Sequence, residues 1–268
     1  MSDGFMSLDV LAVGLLLAGV LSASIATIAR RRSKLTISPS ETLDSPLLPA
    51  SDVEMWLSPV QHSVQLLRVA LVGDTDVAIE LLAVAGRDLC DMLENLGPFT
   101  AILDDVRDNL RKIQQSPFRP EGVDQLRALL EAECAQKVHR KPGRLHDKSA
   151  ATGLVWSCRF IRFWEQVCRL SLEHRAGDHG KEQAVPFRRF IEGAYVKVLL
   201  PHNGWISEQS FRIALNGIPQ DWRWQKLSHT EDAFWEDCAE WVEAMHSVTA
   251  RAEAMLTELN LKDESKSI

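Results

Sequence analysis

Helical periodicity runs through most of the chain after residue 50, and it limits the possible folds more than any other feature of the sequence. Apolar residues recur three or four positions apart, the spacing that places them on one face of an α-helix. Convincing alternation of apolar and polar residues, which would indicate half-buried strands, is absent from the sequence. The predicted helices are 55–72, 76–96, 99–114, 120–134, 149–173, 187–200, 203–217 and 230–261. The sequence therefore predicts an all-α fold.

The N-terminal region contains an uncharged run at 10–29, which is 20 residues long. At about 1.5 Å per residue this run would cover about 30 Å, the thickness of a bilayer core. Arg30, Arg31, Arg32 and Lys34 follow it, whereas a secretory signal peptide carries its positive charges before the apolar run. The positive-inside rule predicts a single-pass protein with its N-terminus lumenal or outside and the rest in the cytosol. A cleaved targeting segment and a buried helix are the alternatives.

Composition and periodicity together divide the chain into six parts. The stretch after the apolar run is basic at first and then rich in Ser, Thr and Pro with no sustained period, as expected of a linker. The predicted parts are an N-terminal tail at 1–9, a transmembrane anchor at 10–29, a linker at 30–50, an extra helix at 51–75, a helical domain at 76–262 and a tail at 263–268.

Charge, cysteines and motifs exclude several classes of function. The net charge is −7, whereas a general nucleic-acid binder needs a surplus of Lys and Arg for phosphate contacts. The five cysteines form no C-x-x-C pair, and the eight histidines do not cluster at the spacing of metal ligands. The chain contains no G-x-S-x-G, P-loop, G-x-G-x-x-G or H-E-x-x-H motif. We therefore expect no enzyme, no metal or other cofactor and no nucleic-acid partner.

A row of polar residues occupies positions that normally carry core leucines in the helix predicted at 99–114. Asp105, Asn109 and Lys112 stand at i, i+4 and i+7, so they share one helix face, and we call them the polar stripe. Taken alone, the stripe could be a solvated face, since Asp108 and Lys112 have the spacing of an i,i+4 ion pair.

An aromatic row lies at the same spacing in the helix predicted at 149–173. Trp156, Phe160 and Phe163 stand at i, i+4 and i+7, and taken alone such a row most often belongs to a core. Together with the polar stripe, it offers an indole at the mouth of an apolar cleft. A sugar suits that pairing, because its hydroxyl groups can bond to Asp and Asn while its C–H face packs on Trp.

Three segments, in order along the chain, resemble the glycolipid transfer protein family. "LGPFTAILDDVRDNLRKI" resembles the family helix with the pattern D-x-x-x-N-x-x-K, which here is the polar stripe. "LVWSCRFIRF" resembles the pattern W-x-x-R-x-x-x-F, here Trp156, Arg159 and Phe163. "NGWISEQSF" resembles the segment in which a His precedes a Trp and a later Phe, and "LLEAE" upstream also fits. The resemblance covers most of the chain between residues 76 and 260.

This resemblance implies a two-layer helical sandwich that encloses the chains of a sphingolipid between its layers. In the family, the Asp, Asn and Lys bond the first sugar and the ceramide amide, and the Trp stacks on the sugar. The headgroup residues implied here are Asp105, Asn109, Lys112 and Trp156. Phe160 and Phe163 would line the apolar cleft.

The third segment departs from the family pattern by one residue. The family's His, which contacts the ceramide amide, stands two residues before its Trp. Counting back from Trp205 gives Asn203, and His202 lies one residue further. Either His202 takes the role through a one-residue bulge, or Asn203 donates instead, or His202 is only a helix-end residue. The resemblance also makes Trp205 a membrane contact, a role that suits an exposed indole.

The sequence thus predicts a membrane-anchored protein that binds a sphingolipid, favours a glycosylceramide, and transfers or presents it between membranes. In the branch of the family that selects ceramide-1-phosphate, a basic residue replaces the Asn and an Arg replaces the Trp, whereas this chain has Asn109 and Trp156. A phosphate site also needs two or more converging cations, and the polar stripe offers only Lys112. The alternatives are ceramide-1-phosphate transfer on the same fold and a helical interaction or sensor module that does not transfer lipid.

Overall fold

The computed structural model describes residues 57–97, 100–139, 143–177, 187–261 and 263, and most of them are helical. The α-helices are α1 Pro59–Val69, α2 Ile79–Glu94, α3 Thr100–Gln114, α4 Leu126–Ala135, α5 Ala150–Ala176, α6 Phe187–Ala194, α7 Trp205–Leu215 and α8 Glu231–Glu258. A π-helical turn, Tyr195–Leu199, and a 3₁₀ turn, Leu200–His202, continue α6, and a second 3₁₀ turn covers Trp224–Lys226. The prediction of a mainly helical fold is confirmed.

Side-chain caps begin several of these helices. The Ser58 hydroxyl accepts from the backbone N–H of Gln61 at 3.1 Å, and the Gln61 side chain accepts from the backbone N–H of Ser58 at 3.0 Å. Ser149 accepts from the backbone N–H of Thr152 at 3.1 Å and so begins α5. Thr230 begins α8 in the same way, at 3.1 Å from the N–H of Ala233. These bonds satisfy backbone donors that have no partner inside the first helical turn.

The helices pack in a closed ring. α1 packs on α2 and α8, α2 packs on α3, α3 packs on α5, and α5 packs on α8. α6 and the π-helical turn pack on α5, which therefore has neighbours on several sides. Trp164 of α5 and Trp241 of α8 are among the largest fully buried side chains. The long helix α5 thus forms the centre of the core and carries one half of the predicted headgroup site.

A short β-hairpin, which the sequence analysis did not predict, interrupts the helices. Strands β1 Leu71–Val72 and β2 Asp76–Val77 are antiparallel, with Leu71 opposite Val77. The turn between them uses Gly73 at φ +53°, and the Arg251 guanidinium donates to the Gly73 carbonyl at 2.6 Å. The predicted helix at 76–96 therefore starts only after β2.

The helix predicted from residue 120 starts later, at Leu126, because long-range contacts hold the preceding residues in an extended form. Gly122 has φ +71°, which interrupts helical geometry. Gln125 forms an isolated bridge with Ala78, and the backbone N–H of Ile79 donates to the Asp124 carbonyl at 2.9 Å.

Within the segment 51–75, where an extra helix was predicted, the structure has α1 and then β1, and α1 packs on α2 and α8. Met55–Ile268 form one compact unit. The helices in the described part of the chain are too short or too polar to cross a membrane. The predicted tail, anchor and linker at 1–50 lie outside the described residues.

Candidate functional site

The polar stripe lies at a close approach between α3 and α5. Gly153 of α5 faces α3, and a Cβ atom added there would stand 2.4 Å from the backbone oxygen of Asn109 and 3.1 Å from the Cβ of Lys112. Only a glycine allows this approach, because any side chain would meet the α3 backbone. The sequence analysis did not identify Gly153, since its role depends on a helix about 40 residues earlier in the chain.

The side chains of the polar stripe form one hydrogen-bonded row. The Lys112 ammonium donates to Asn109 Oδ1 at 2.8 Å, and Asn109 Nδ2 donates to Asp105 Oδ2 at 3.3 Å. Asn109 is only 2% exposed, whereas Asp105 is exposed and Lys112 is half-buried. Asp108 pairs with Arg111 rather than with Lys112. The stripe is therefore an ordered polar row that begins at the surface and continues into the protein.

The charged form of the Asp105 carboxyl is disfavoured in the folded protein. The residue is exposed, but neighbouring protein atoms partly desolvate the carboxyl, and this desolvation raises its pKa. The positive charge of Lys112 and the hydrogen bond from Asn109 act in the opposite direction but do not offset the desolvation, and the charge of Asp108 adds to the rise. The hydrogen bond from Asn109, at 3.3 Å, and the charge of Lys112 therefore do not stabilise the carboxylate enough to keep its pKa at the ordinary value.

Trp156 follows Gly153 by one turn of α5, so its indole lies close to the crossing with α3. Its side chain is half-buried. The guanidinium carbon of Arg159 stands 4.5 Å from the centre of the indole, the geometry of a cation–π contact. One face of the ring is thus covered by Arg159, the Arg of the W-x-x-R pattern.

The two predicted cleft residues lie in the closed core. Phe160 and Phe163 are 6% and 4% exposed. The Phe163 ring lies 5.3 Å from Trp164 and 6.4 Å from Phe211, and Phe211 stacks on Tyr195 at 3.7 Å between ring centres. This aromatic packing joins α5, the π-helical turn and α7. A ligand chain can reach Phe160 and Phe163 only if these elements move apart.

The segment proposed to contact a ceramide amide changes helical geometry twice within eight residues. The backbone N–H of Leu200 donates to the Tyr195 carbonyl, an i→i−5 bond that widens the helix before the 3₁₀ turn. His202 ends that turn and lines a pocket described below. The Asn203 amide donates to the Tyr195 hydroxyl at 3.2 Å. Trp205 begins α7, and its side chain is not among those described.

A pocket with a cavity volume of about 360 Å³ opens between α5, the π-helical turn and α8. Its charged lining residues are Arg159, Arg162, Lys197, Glu165 and Glu253, with His202 beside them, and we call it the basic pocket. The sequence analysis did not predict it, because its residues come from three separate segments. In the described ranges, His, Cys, Asp and Glu do not form a group of three that could hold a metal ion.

A buried carboxylate fixes the start of α5. Glu133 of α4 is completely buried, and it accepts from the backbone N–H groups of Ala150 at 2.7 Å and Ala151 at 3.1 Å. Negative charge is favourable at a helix N-terminus, so Glu133 satisfies free donors and complements the helix dipole. Glu133 belongs to the "LLEAE" segment, and its role is to position the helix that carries Gly153 and Trp156.

Comparison with known proteins gives consistent results. The family model described as glycolipid transfer protein (GLTP) matches residues 77–227. Glycolipid transfer protein 2 of Arabidopsis thaliana is 21% identical over 162 residues, which are 60% of this chain and 67% of that protein. Glycolipid transfer protein 3 of the same plant is 26% identical over 135 residues, which are 50% of this chain and 52% of that protein. The chain thus spans between about half and two thirds of these relatives.

A solved structure with a similar fold is that of mouse ceramide-1-phosphate transfer protein in its apo form. The TM-score is 0.65 at 16% sequence identity, and the match covers 77% of this chain and 99% of the mouse chain. At this identity the likeness shows the fold alone.

Proposed function

The chain belongs to the glycolipid transfer protein family, and we propose that it takes up one sphingolipid with a sugar headgroup, a glycosylceramide, and transfers or presents it between membranes. The observation that carries this proposal is the polar stripe, an ordered row of carboxylate, amide and ammonium at the crossing with the helix that bears Trp156. The names of the two plant relatives, which are glycolipid transfer proteins, support it.

The headgroup would be recognised by hydrogen bonds and stacking. Asp105 reaches solvent and lacks strong donors, so its oxygens can accept from sugar hydroxyl groups. Trp156 would pack on the C–H face of the ring. Hydroxyl donors would also lower the energy of the carboxylate, whose pKa is raised by desolvation. A headgroup without these donors would leave Asp105 unsatisfied, which gives selectivity.

The lipid chains would lie between two layers of helices. Removing a chain from water gains about 0.8 kcal/mol for each CH2 group, so a closed apolar cleft stabilises a lipid outside the membrane. Phe160 and Phe163 would contact these chains after the stack between Phe211 and Tyr195 has opened. His202 or Asn203 would bond the ceramide amide, and Trp205 would touch the membrane. No chemical change of the lipid is part of this proposal.

Residues 10–29 would anchor the protein in a membrane and leave the lipid-binding domain in the cytosol. The support is the uncharged run of 20 residues followed by four basic residues. The linker would then limit transfer to a narrow gap between membranes. Fractionation of cells that express the full chain tests the anchor: it should stay in the membrane pellet after a carbonate wash, and a chain that begins at Met55 should be released.

Lipid exchange between labelled vesicles tests the ligand. Residues 55–268, which form one compact unit, would be assayed with glucosylceramide, ceramide-1-phosphate and phosphatidylcholine. We expect selective transfer of glucosylceramide, a strong loss in Trp156→Ala and Asp105→Asn, and no loss in Asp108→Asn. The last variant is a matched control, because Asp108 lies on the same helix but pairs with Arg111 outside the stripe.

The same assay contains the rival outcomes. Faster transfer of ceramide-1-phosphate than of glucosylceramide would assign the protein to phosphate headgroups. No transfer of any lipid by the unchanged protein, shown by circular dichroism to be folded, would favour an interaction module.

A further inference from the structure

Arg159 of α5 is a half-buried cation that lies at the edge of the basic pocket. The two carboxylates of that pocket are held by another arginine of the same helix, Arg162. Its guanidinium donates to both oxygens of Glu253, at 3.1 and 2.8 Å, and to Glu165 at 2.9 Å. The described hydrogen bonds of these carboxylates therefore do not include Arg159, although it lines the pocket with them.

The Arg159 guanidinium has fewer hydrogen bonds than a desolvated cation needs. Its Nη2 donates to the backbone carbonyl of Asp263 at 3.1 Å, whereas its Nη1 is buried and has no hydrogen-bond partner in the described structure. Desolvation lowers the pKa of Arg159, and the nearby charge of Asp263 does not offset this effect. A buried N–H group without an acceptor destabilises a fold. The fold therefore gains little stability from the charge of Arg159.

The contact that Arg159 makes in place of an ion pair is with the Trp156 indole. The guanidinium carbon stands 4.5 Å from the centre of the ring, and the two residues are three positions apart on α5. A cation within about 6 Å of an indole centre is attracted by the negative face of the ring. Arg159 therefore occupies one face of Trp156 and limits the orientations that the indole can adopt.

A second cation–π pair on the same helix has an evident structural role. The guanidinium carbon of Arg175 stands 5.1 Å from the centre of the Trp235 ring, and Arg175 also donates to Glu231 at 3.2 Å and to Asp232 at 3.0 Å. These two ion pairs join α5 to the first turn of α8. Arg159 makes no comparable ion pair within the described ranges, and its ring partner is the predicted stacking residue of the headgroup site.

We infer that Arg159 is a positioning residue of the headgroup site, which holds the Trp156 indole so that one face of the ring is left for the sugar. The inference rests on the proposed function. The bond from Arg159 to the Asp263 carbonyl fixes the guanidinium in turn, so the segment after α8 supports the stacking residue. A ring that is already fixed loses little conformational freedom when the lipid binds, which strengthens binding.

Arg159→Met tests this inference, because methionine is unbranched and packs well on aromatic rings but carries no charge. The full chain would be reconstituted in vesicles, and its transfer of glucosylceramide and its melting temperature would be measured. We expect transfer to fall about tenfold, because the ring is no longer fixed. The melting temperature should stay the same or rise, because the buried N–H group without a partner is removed. Arg159→Lys, which keeps a cation, should restore part of the transfer rate.

A double-mutant cycle shows whether Arg159 acts through the indole. In a Trp156→Ala background, Arg159→Met should change the residual transfer rate by less than about twofold, because the ring to be positioned is absent. Arg175→Met is the matched control on the same helix. It should lower the melting temperature, because the bonds to Glu231 and Asp232 are lost, and leave the transfer rate of the folded protein unchanged.

Fluorine NMR of the full chain, labelled with 5-fluorotryptophan and held in detergent micelles, observes the ring without any lipid ligand. The chain has eight tryptophans, and the Trp156 resonance would be assigned by its absence from the spectrum of Trp156→Phe. Arg159→Met should shift and broaden the Trp156 resonance and leave that of Trp235 in place. Arg175→Met should have the opposite effect on the two resonances.

The outcomes separate the inference from the function on which it rests. An unchanged Trp156 resonance in Arg159→Met, or an equal fall in transfer with and without the indole, would overturn the inference and leave glycolipid transfer intact. A lower melting temperature with a proportional loss of transfer would assign Arg159 a structural role and also overturn it. If the resonance moved but the unchanged chain transferred no glycolipid, the proposed function would be refuted, and the role of Arg159 in sugar stacking with it.

Discussion

Replacing Gly153 with Ala should separate the two helices that form the candidate headgroup site. The added Cβ atom would lie 2.4 Å from the backbone oxygen of Asn109, 3.1 Å from Lys112 Cβ and 3.2 Å from Ile113 Cγ1. Normal contact requires about 3.4 Å or more, so the helices must move apart by about 1 Å. The first obstacle is backbone, which cannot rotate away as a flexible side chain can.

The expected loss of stability follows from two opposing effects. Ala is favoured over Gly inside a helix by about 1 kcal/mol. Overpacking a tight contact costs about 1–3 kcal/mol, and contact with backbone places this position near the upper end of that range. The net loss is therefore about 2 kcal/mol, which corresponds to a fall of about 4–8 °C in melting temperature for a unit of this size. Lipid transfer should fall by about tenfold or more, because binding groups must be held to about 0.5 Å.

Gly193→Ala is the control. Gly193 is an exposed helical residue of α6, and a Cβ there would lie 3.4 Å from the tip of Leu170, an ordinary contact. This variant should be as stable as the unchanged protein or gain up to about 1 kcal/mol. Thermal unfolding followed by circular dichroism, with vesicle transfer in parallel, measures both effects. If Gly153→Ala melted at the temperature of Gly193→Ala, the close approach of α3 and α5 would be refuted.

Three further substitutions test the electrostatics of the fold and site. Asp105→Asn should raise the melting temperature at neutral pH and abolish lipid transfer. Because the pKa of Asp105 is raised in the folded protein, its charged form destabilises the fold at pH values above that pKa. This destabilisation disappears as the pH falls through the pKa, so the difference in melting temperature between the two proteins should disappear with it. Glu133→Ala should lower the free energy of unfolding, measured with denaturant, by about 3 kcal/mol or more, because two buried N–H groups lose a charged acceptor. The control is Glu131→Ala at an exposed position of α4, which should change the free energy of unfolding by less than about 0.5 kcal/mol. The hydrogen bond from Arg119 lowers the pKa of Glu80 below its usual 4.5, so the Glu80 carboxylate stabilises the fold at neutral pH, and this contribution is lost as the pH falls below about 4.5. Glu80→Gln should therefore flatten the dependence of melting temperature on pH in that range. An unchanged pH profile would contradict this role of Glu80.

The polar stripe was predictable from the sequence because its spacing is local. Positions i, i+4 and i+7 share a face in any α-helix, so Asp105, Asn109 and Lys112 had to lie together once α3 was recognised. The aromatic row was predictable for the same reason, although Phe160 and Phe163 are packed in a closed core in this structure. Helical periodicity was thus sufficient to predict most of the helices and the residues of the polar stripe in the candidate site.

The features that the sequence did not reveal all depend on contacts between distant segments. Nothing in the pattern around Gly153 distinguishes it from the other thirteen of the 14 glycines, since its importance comes from α3. The basic pocket needs α5, the π-helical turn and α8 at once. Leu126 begins α4 because Gln125 pairs with Ala78, and that bridge spans almost fifty residues. Such contacts have no counterpart in helical periodicity.

A comparison with buried polar groups elsewhere in the protein supports the proposal that the stripe binds a ligand. Asp237 is buried, and it joins three separated segments by accepting from Ser58 at 3.0 Å, Gln61 at 3.0 Å and Ser228 at 3.3 Å. Glu133 likewise joins two helices. Asn109 is buried to a similar degree, yet its side-chain bonds in the described structure go only to its own helix, so it connects no elements. A leucine at this position would pack in the core without burying a polar group. A polar residue that breaks the apolar pattern and makes no contact between elements therefore indicates a ligand site.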